Sequence, residues 1–126
     1  MSIIAERVKS GAARMGLELD DTAAQRFARY YDLLVEGNQK MNLTAVLEPE
    51  EAVDRHFLDS IAPAVLGLLP EGVKMVDVGT GAGFPGLPLL IARPDIQLTL
   101  VDSLNKRLEF LRDLGVDAVW LMPIYP

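Results

Sequence analysis

The sequence contains no cysteine and only one histidine. Without thiols, the chain has no disulfide scaffold, thiolate zinc site, iron–sulfur cluster or cysteine nucleophile. A single imidazole also excludes a multi-histidine metal centre. We therefore expect a protein whose function needs no metal.

Long hydrophobic runs and an excess of positive charge are missing too. The longest apolar stretches, residues 61–70 and 87–92, are far shorter than the roughly 20 residues that span a bilayer. Residues 1–5 are not followed by an apolar segment typical of a secretory signal. We expect a soluble, cytoplasmic protein with no membrane partner. The net charge of −6 argues against independent nucleic-acid binding, because neutralised phosphates supply most non-specific affinity.

The first part of the chain has the apolar spacing of helices. One helix is predicted to end at Gly16. A second is predicted to begin near Asp21 or Thr22, where Thr22 and Gln25 match a capping box. A third begins at Pro49, a favourable residue for a first helical turn, and Pro63 predicts a kink or two shorter helices.

After residue 72 the pattern changes to short apolar runs that alternate with helical segments. Strands are predicted over residues 73–78, 96–101 and 117–122, and helices over 87–93 and 104–114. Right-handed crossovers turn this order into a parallel sheet. The runs are almost continuously apolar, which predicts strands buried on both faces. The fold class is therefore α/β, with an N-terminal helical region over residues 1–70 and an α/β unit over 71–126.

A glycine-rich loop follows the first predicted strand, the place where open parallel sheets bind ligands. Gly81, Gly83 and Gly86 fit the G-x-G-x-x-G pattern of dinucleotide-binding proteins. Asp77, Gly79, Gly81 and Gly83 fit an acidic-x-G-x-G-x-G pattern instead. The second pattern is favoured, because the strand is expected to end one residue before Gly79. A P-loop is excluded, because no Gly-Lys-Ser/Thr follows.

Asp102 is expected at the end of the second strand, near the glycines. A carboxylate there can accept hydrogen bonds from both hydroxyls of a ribose, as an adenosine-containing ligand would offer. A nicotinamide dinucleotide bound through Gly81 remains an alternative, although the chain has no catalytic constellation for hydride transfer. The other alternative is a ligand-free loop beside a solvated aspartate.

Four segments together resemble the RsmG (GidB) family of bacterial 16S rRNA guanine-N7 methyltransferases over residues 1–113. They are NQKMNLTA (38–45), RHFLDSI (55–61), DVGTGAGFPGLPLLIARPD (77–95) and LVDSLNKRLEFL (100–111). The resemblance implies a class I, Rossmann-like methyltransferase fold, S-adenosylmethionine (SAM) as cofactor, and guanine N7 in small-subunit rRNA as methyl acceptor. It also implies that Gly79 and Phe84, with Gly81 and Gly83, line the SAM pocket, and that Asp102 faces the ribose.

Other candidate residues have plainer alternatives. The resemblance suggests substrate-side roles for Asn42, Thr44, Arg55 and His56. Asn and Thr are also ordinary helix caps, the histidine could be structural, and the arginine could pair with an aspartate at i+4, Asp59. Tyr30 and Tyr31 are expected in the core and at its rim rather than as base-stacking platforms. No catalytic residue is assigned, because guanine N7 carries no proton that a base would have to remove.

After Asp113 the family motifs end. Residues 114–126, LGVDAVWLMPIYP, resemble a strand of α-amylase-type (β/α)₈ barrels but carry none of that family's catalytic carboxylates. We therefore expect a truncated, fused or chimeric chain that retains at most a SAM-binding loop and does not methylate rRNA detectably. The third strand should join the sheet beside either of the first two strands, with Trp120 at least partly buried. The chain should leave the sheet at Pro123. The open sheet edge predicts self-association.

Overall fold

A computed structural model describes residues 2–39, 48–79, 81–102, Glu109, Arg112 and the backbone of residues 119–123. The helix predicted over 104–114 lies almost entirely outside this set. The first helix, α1 (Ile3–Met15), begins after Ser2, whose hydroxyl accepts the N–H of Ala5 at 3.1 Å. It ends at Gly16, whose φ of +101° lies in the left-handed region, as is common for glycine after a helix.

The second helix, α2 (Asp21–Asn38), begins where the sequence predicted but has a different cap. The Asp20 carboxylate accepts the N–H of Ala23 at 2.7 Å, and the backbone of Asp20 is extended. The capping box predicted at Thr22 and Gln25 is therefore wrong. Aspartate is at least as good an N-cap as threonine, and here it lies at the position where the chain turns into the helix.

The third helical segment is divided into three parts. Helix α3 (Pro49–Glu51) runs directly into a π-helix (Ala52–Leu58), and α4 (Ala62–Val65) follows. Pro63 lies in the first turn of α4, where its missing N–H costs no helical hydrogen bond. The predicted interruption near Pro63 is confirmed. The π-helix was not predicted, because periodicity alone does not distinguish a widened turn from an α-helical one.

The second half of the chain forms a three-stranded parallel sheet in the order β1-β2-β3. The strands are β1 (Lys74–Val78), β2 (Gln97–Asp102) and β3 (Val119–Pro123), and α5 (Gly86–Ala92) connects β1 to β2. This order confirms the α/β class. Of the two positions expected for the third strand, beside the first strand or beside the second, the structure has the second. The chain does not leave the sheet before Pro123, which still pairs with Asp102. A proline is tolerated there because β3 pairs on one side only among the described strands.

The sheet is not buried on both faces, so that prediction is wrong for β1. Leu98 and Leu100 of β2 are fully buried, whereas Val76 and Val78 of β1 are 64% and 68% exposed. Among the residues that the structure describes, helices cover one face only. β1 therefore presents valine side chains to solvent on its other face.

One hydrophobic core joins the two halves of the chain. Its largest members come from the helical region, with Phe27 and Phe57 fully buried, and from the α/β unit, with Leu87, Leu98 and Leu100. The boundary at residue 70 therefore crosses a continuous core, and the division into two regions stays a proposal. None of the described helices is long and apolar enough to cross a membrane.

Candidate functional site

The glycine loop, residues 79–85, begins where β1 ends; residue 80 is not among those described. Strand β1 ends at Val78, and the N–H of Gly79 donates to the carbonyl of Val101 at 2.7 Å. Gly79, Gly81 and Gly83 have φ values of +71°, +57° and +104°. A Cβ added at Gly79 or Gly81 would meet no atom within 4 Å, so open space lies beside both residues. A ligand can therefore approach the bare backbone at these positions.

Two carboxylates from the sheet hold the ends of this loop. Asp102 accepts the N–H of Gly81 at 2.8 Å, and Asp77 accepts the N–H of Gly86, the first residue of α5, at 3.0 Å. Asp102 is 1% exposed. It lies at the end of β2 beside the glycines, where the sequence placed it, and its contact with a ribose stays a prediction. The loop-holding role of Asp77 was missed, although its place before the glycines in the acidic pattern could have indicated it.

The other side of the loop is packed against aromatic side chains of the helical region. Phe84 contacts His56, with ring centroids 4.6 Å apart, and Tyr30, with centroids 5.7 Å apart. Tyr30 also stacks on Phe57 at 5.4 Å, and its hydroxyl donates to the carbonyl of Ala82. We call Tyr30, His56, Phe57 and Phe84 the aromatic cluster. Through it, the helical region contacts the loop directly.

The environment of His56 favours a neutral imidazole. Partial burial lowers its pKa below the usual value of 6.5, and the positive charge of Arg55 lowers it further, while Asp59 acts in the opposite direction. The ring is therefore uncharged at neutral pH and lies against the face of Phe84. The sequence left open a structural or surface histidine and a contact near the pocket or RNA. The structure packs the ring against the loop, and a substrate-side role for His56 stays a prediction.

The similarity to known proteins agrees with this architecture. Residues 23–118 match the sequence profile of GidB, described as rRNA small subunit methyltransferase G. The chain belongs to the GidB family. The match ends at residue 118, beyond Asp113, where the motifs placed its end. The resemblance of residues 114–126 to an amylase strand has no independent support.

Curated relatives in the GidB family are similar over most of this chain. It is 50% identical over 108 residues to ribosomal RNA small subunit methyltransferase G of Alkaliphilus metalliredigens. It is 48% identical over 112 residues to the protein of that name from Streptococcus sanguinis. The alignments cover 86% and 85% of this chain but 45% and 47% of the relatives. The chain thus spans about half the length of the curated relatives it matches.

Of the remaining candidates suggested by the GidB resemblance, one lies at the surface and two are outside the described residues. Arg55 is exposed and pairs with Glu51 at 3.6 Å, so the predicted pairing with Asp59 is wrong. An acid four residues before a base is the better orientation on a helix, because both charges then suit the helix dipole. Asn42 and Thr44 lie outside the described residues. Within the described part of the chain, no group of three or more histidine, aspartate or glutamate side chains could hold a metal ion.

Proposed function

We propose that the glycine loop binds SAM and that this chain provides the cofactor-binding part of an rRNA methyltransferase. The observation that carries the proposal is the open space beside Gly79 and Gly81 at the carboxyl ends of two parallel strands. Ligands of open α/β sheets bind at this edge. The glycines leave room for a ligand to contact the backbone, which supports a fit to a nucleoside-containing cofactor.

Different residues around this space would make different contacts with the cofactor. Gly79 and Gly81 leave space in which a ligand can contact the loop, although their own N–H groups already donate to Val101 and Asp102. Phe84 offers an apolar surface. The resemblance assigns Asp102 to the ribose. Because this carboxylate is 1% exposed and accepts the N–H of Gly81, contact with ribose hydroxyls requires it to become accessible when the cofactor binds. When bound, SAM supplies an activated methyl group.

The proposed methyl acceptor is N7 of a guanine in small-subunit rRNA. Because this nitrogen has a lone pair and no proton, no side chain has to act as a general base. The protein's contribution is then to position the acceptor against the methyl group. The GidB description and the names of the relatives support rRNA as substrate, and the resemblance supports N7. Since the chain carries a net charge of −6, the ribosomal particle is a better candidate substrate than free RNA.

A calorimetric titration tests the cofactor proposal and its alternative. The chain should bind S-adenosylhomocysteine (SAH), the demethylated product, and should not bind NAD. Binding of NAD but not SAH would favour the dinucleotide interpretation of Gly81, Gly83 and Gly86. Binding of neither would contradict the proposal.

Transfer of labelled methyl from SAM to small ribosomal subunits tests the second part of the proposal. Binding of SAH without transfer would identify the alternative, a chain that holds the cofactor but does not methylate rRNA. A tenfold excess of unlabelled SAH should suppress any true transfer, because both compounds would occupy one site.

A further inference from the structure

We propose that Tyr30 is a positioning residue for the glycine loop: its hydroxyl, carried by α2, holds the Ala82 carbonyl and so keeps the loop in its ligand-binding conformation. This inference rests on the proposed function. It extends the cofactor site to a residue of the N-terminal helical region.

The loop needs external restraints because of its composition. Ala82 lies between two glycines with positive φ, and glycine has more backbone freedom to lose on ordering than any other residue. From the sheet side, Asp102 holds the N–H of Gly81. From the helical side, Tyr30 holds the carbonyl of Ala82, the next residue. The two contacts fix the loop between the sheet and α2.

Tyr30 is itself held firmly. It is 2% exposed, and its ring packs against Phe57 and, at 34° between planes, against Phe84. Burial raises the pKa of its hydroxyl well above the usual 10.0, and the negative charge of Asp77 adds to this effect. The hydroxyl therefore stays protonated and available as a donor. Removing it would leave a buried carbonyl without this partner, an arrangement that proteins rarely tolerate.

Tyr30→Phe in the full chain is the test, because it removes one oxygen and keeps the ring. We expect the affinity for SAH, measured by calorimetry, to fall about tenfold, since less of the protein occupies the binding-competent conformation. Hydrogen exchange of the loop amides should accelerate, while exchange in α1 stays unchanged. Tyr31→Phe is the matched control, because it removes the hydroxyl of the neighbouring, half-buried tyrosine and should leave both readouts as they are.

The outcomes separate this inference from the proposed function. If the unaltered chain binds SAH and Tyr30→Phe binds within twofold of it, the inference is wrong. An equal loss of affinity in Tyr31→Phe, or a loss without faster loop exchange, would also overturn it. If the unaltered chain does not bind SAH, the proposed function fails, and loop exchange in Tyr30→Phe still decides whether Tyr30 orders the loop.

A second measurement covers the case in which Tyr30→Phe does not fold. In the unaltered chain, the Tyr30 hydroxyl proton should exchange slowly enough for detection by nuclear magnetic resonance. Its exchange should slow further when SAH saturates the site, because the bound ligand stabilises the loop that it contacts. A hydroxyl signal unaffected by SAH would contradict the positioning role.

Discussion

The imidazole of His56 lies flat against the phenyl ring of Phe84, with 4.6 Å between ring centroids and 8° between planes. His56 belongs to the π-helix and Phe84 to the glycine loop, 28 residues later in the sequence. The contact therefore joins the helical region to the candidate cofactor site. His56 is the only histidine of the chain, and a change in its charge would act directly on the contact with Phe84 and so on the loop.

Folding stability should depend on the titration of His56. Because the pKa of His56 is lowered in the folded state, the unfolded chain binds more protons between the two pKa values. The stability that His56 contributes through its lowered pKa is therefore fully present above the unfolded-state pKa of 6.5. It is lost as the pH falls from 6.5 toward the folded-state pKa, because the unfolded chain then binds a proton more readily than the folded chain. Urea unfolding at several pH values between about 5 and 7 measures this dependence.

His56→Phe is the matching variant for this pH dependence. It keeps an aromatic ring against Phe84 and removes the titrating group. The free energy of unfolding should then vary less across the same pH interval than in the unaltered chain. An identical slope in both proteins would show that His56 is not responsible.

Gly79→Val should abolish SAH binding while the chain remains folded. A β-branched residue at a φ of +71° is strained, and its side chain would occupy the open space beside the loop. Gly67→Val is a matched control, because Gly67 has a φ of +70° and also lies beside open space, but it lies before β1, outside the loop. Circular dichroism checks folding, and calorimetry checks binding. Unchanged affinity in folded Gly79→Val would contradict the proposed site.

Gly86→Ala should destabilise the fold by about 1–3 kcal/mol, the usual cost of overpacking. The added Cβ would lie 2.9 Å from Asp77 Oδ2, 3.0 Å from Leu100 Cδ2 and 3.1 Å from Leu98 Cδ1. Urea unfolding measures the change. Leu100→Val removes a methylene from this contact, so the double variant should lose less stability than the sum of the single ones. Strict additivity would mean that Leu100 does not limit the space at Gly86.

The parts of this site that could be predicted from sequence depend on local signals. The end of β1 before Gly79 and the position of Asp102 follow from apolar runs that stop at glycines or an acid, and both are confirmed. The link from Tyr30 to Ala82 could not be predicted, because it joins residues 52 positions apart and depends on how α2 packs. The exposure of Val76 could not be predicted either, since an apolar run does not tell which face another element covers.

Self-association through an open sheet edge remains a prediction, and the exposed valines of β1 indicate which edge would be involved. β1 pairs with β2 on one side, and the described residues show no strand on its other edge. Val76 and Val78 point to the solvent-exposed face, so a second copy could both extend the sheet and bury these side chains. Light scattering should therefore give a mass that rises with protein concentration.

Val78→Lys tests whether β1 is the surface responsible. A lysine on an edge strand opposes pairing with another chain, because its charge would have to lose water in the contact. The variant should shift the mass toward that of the monomer. Ser10→Lys adds the same charge on the exposed surface of α1 and should leave association unchanged. If both variants reduce association equally, net charge rather than the β1 edge controls it; if the unaltered chain is monomeric at every concentration, the edge is not an interface.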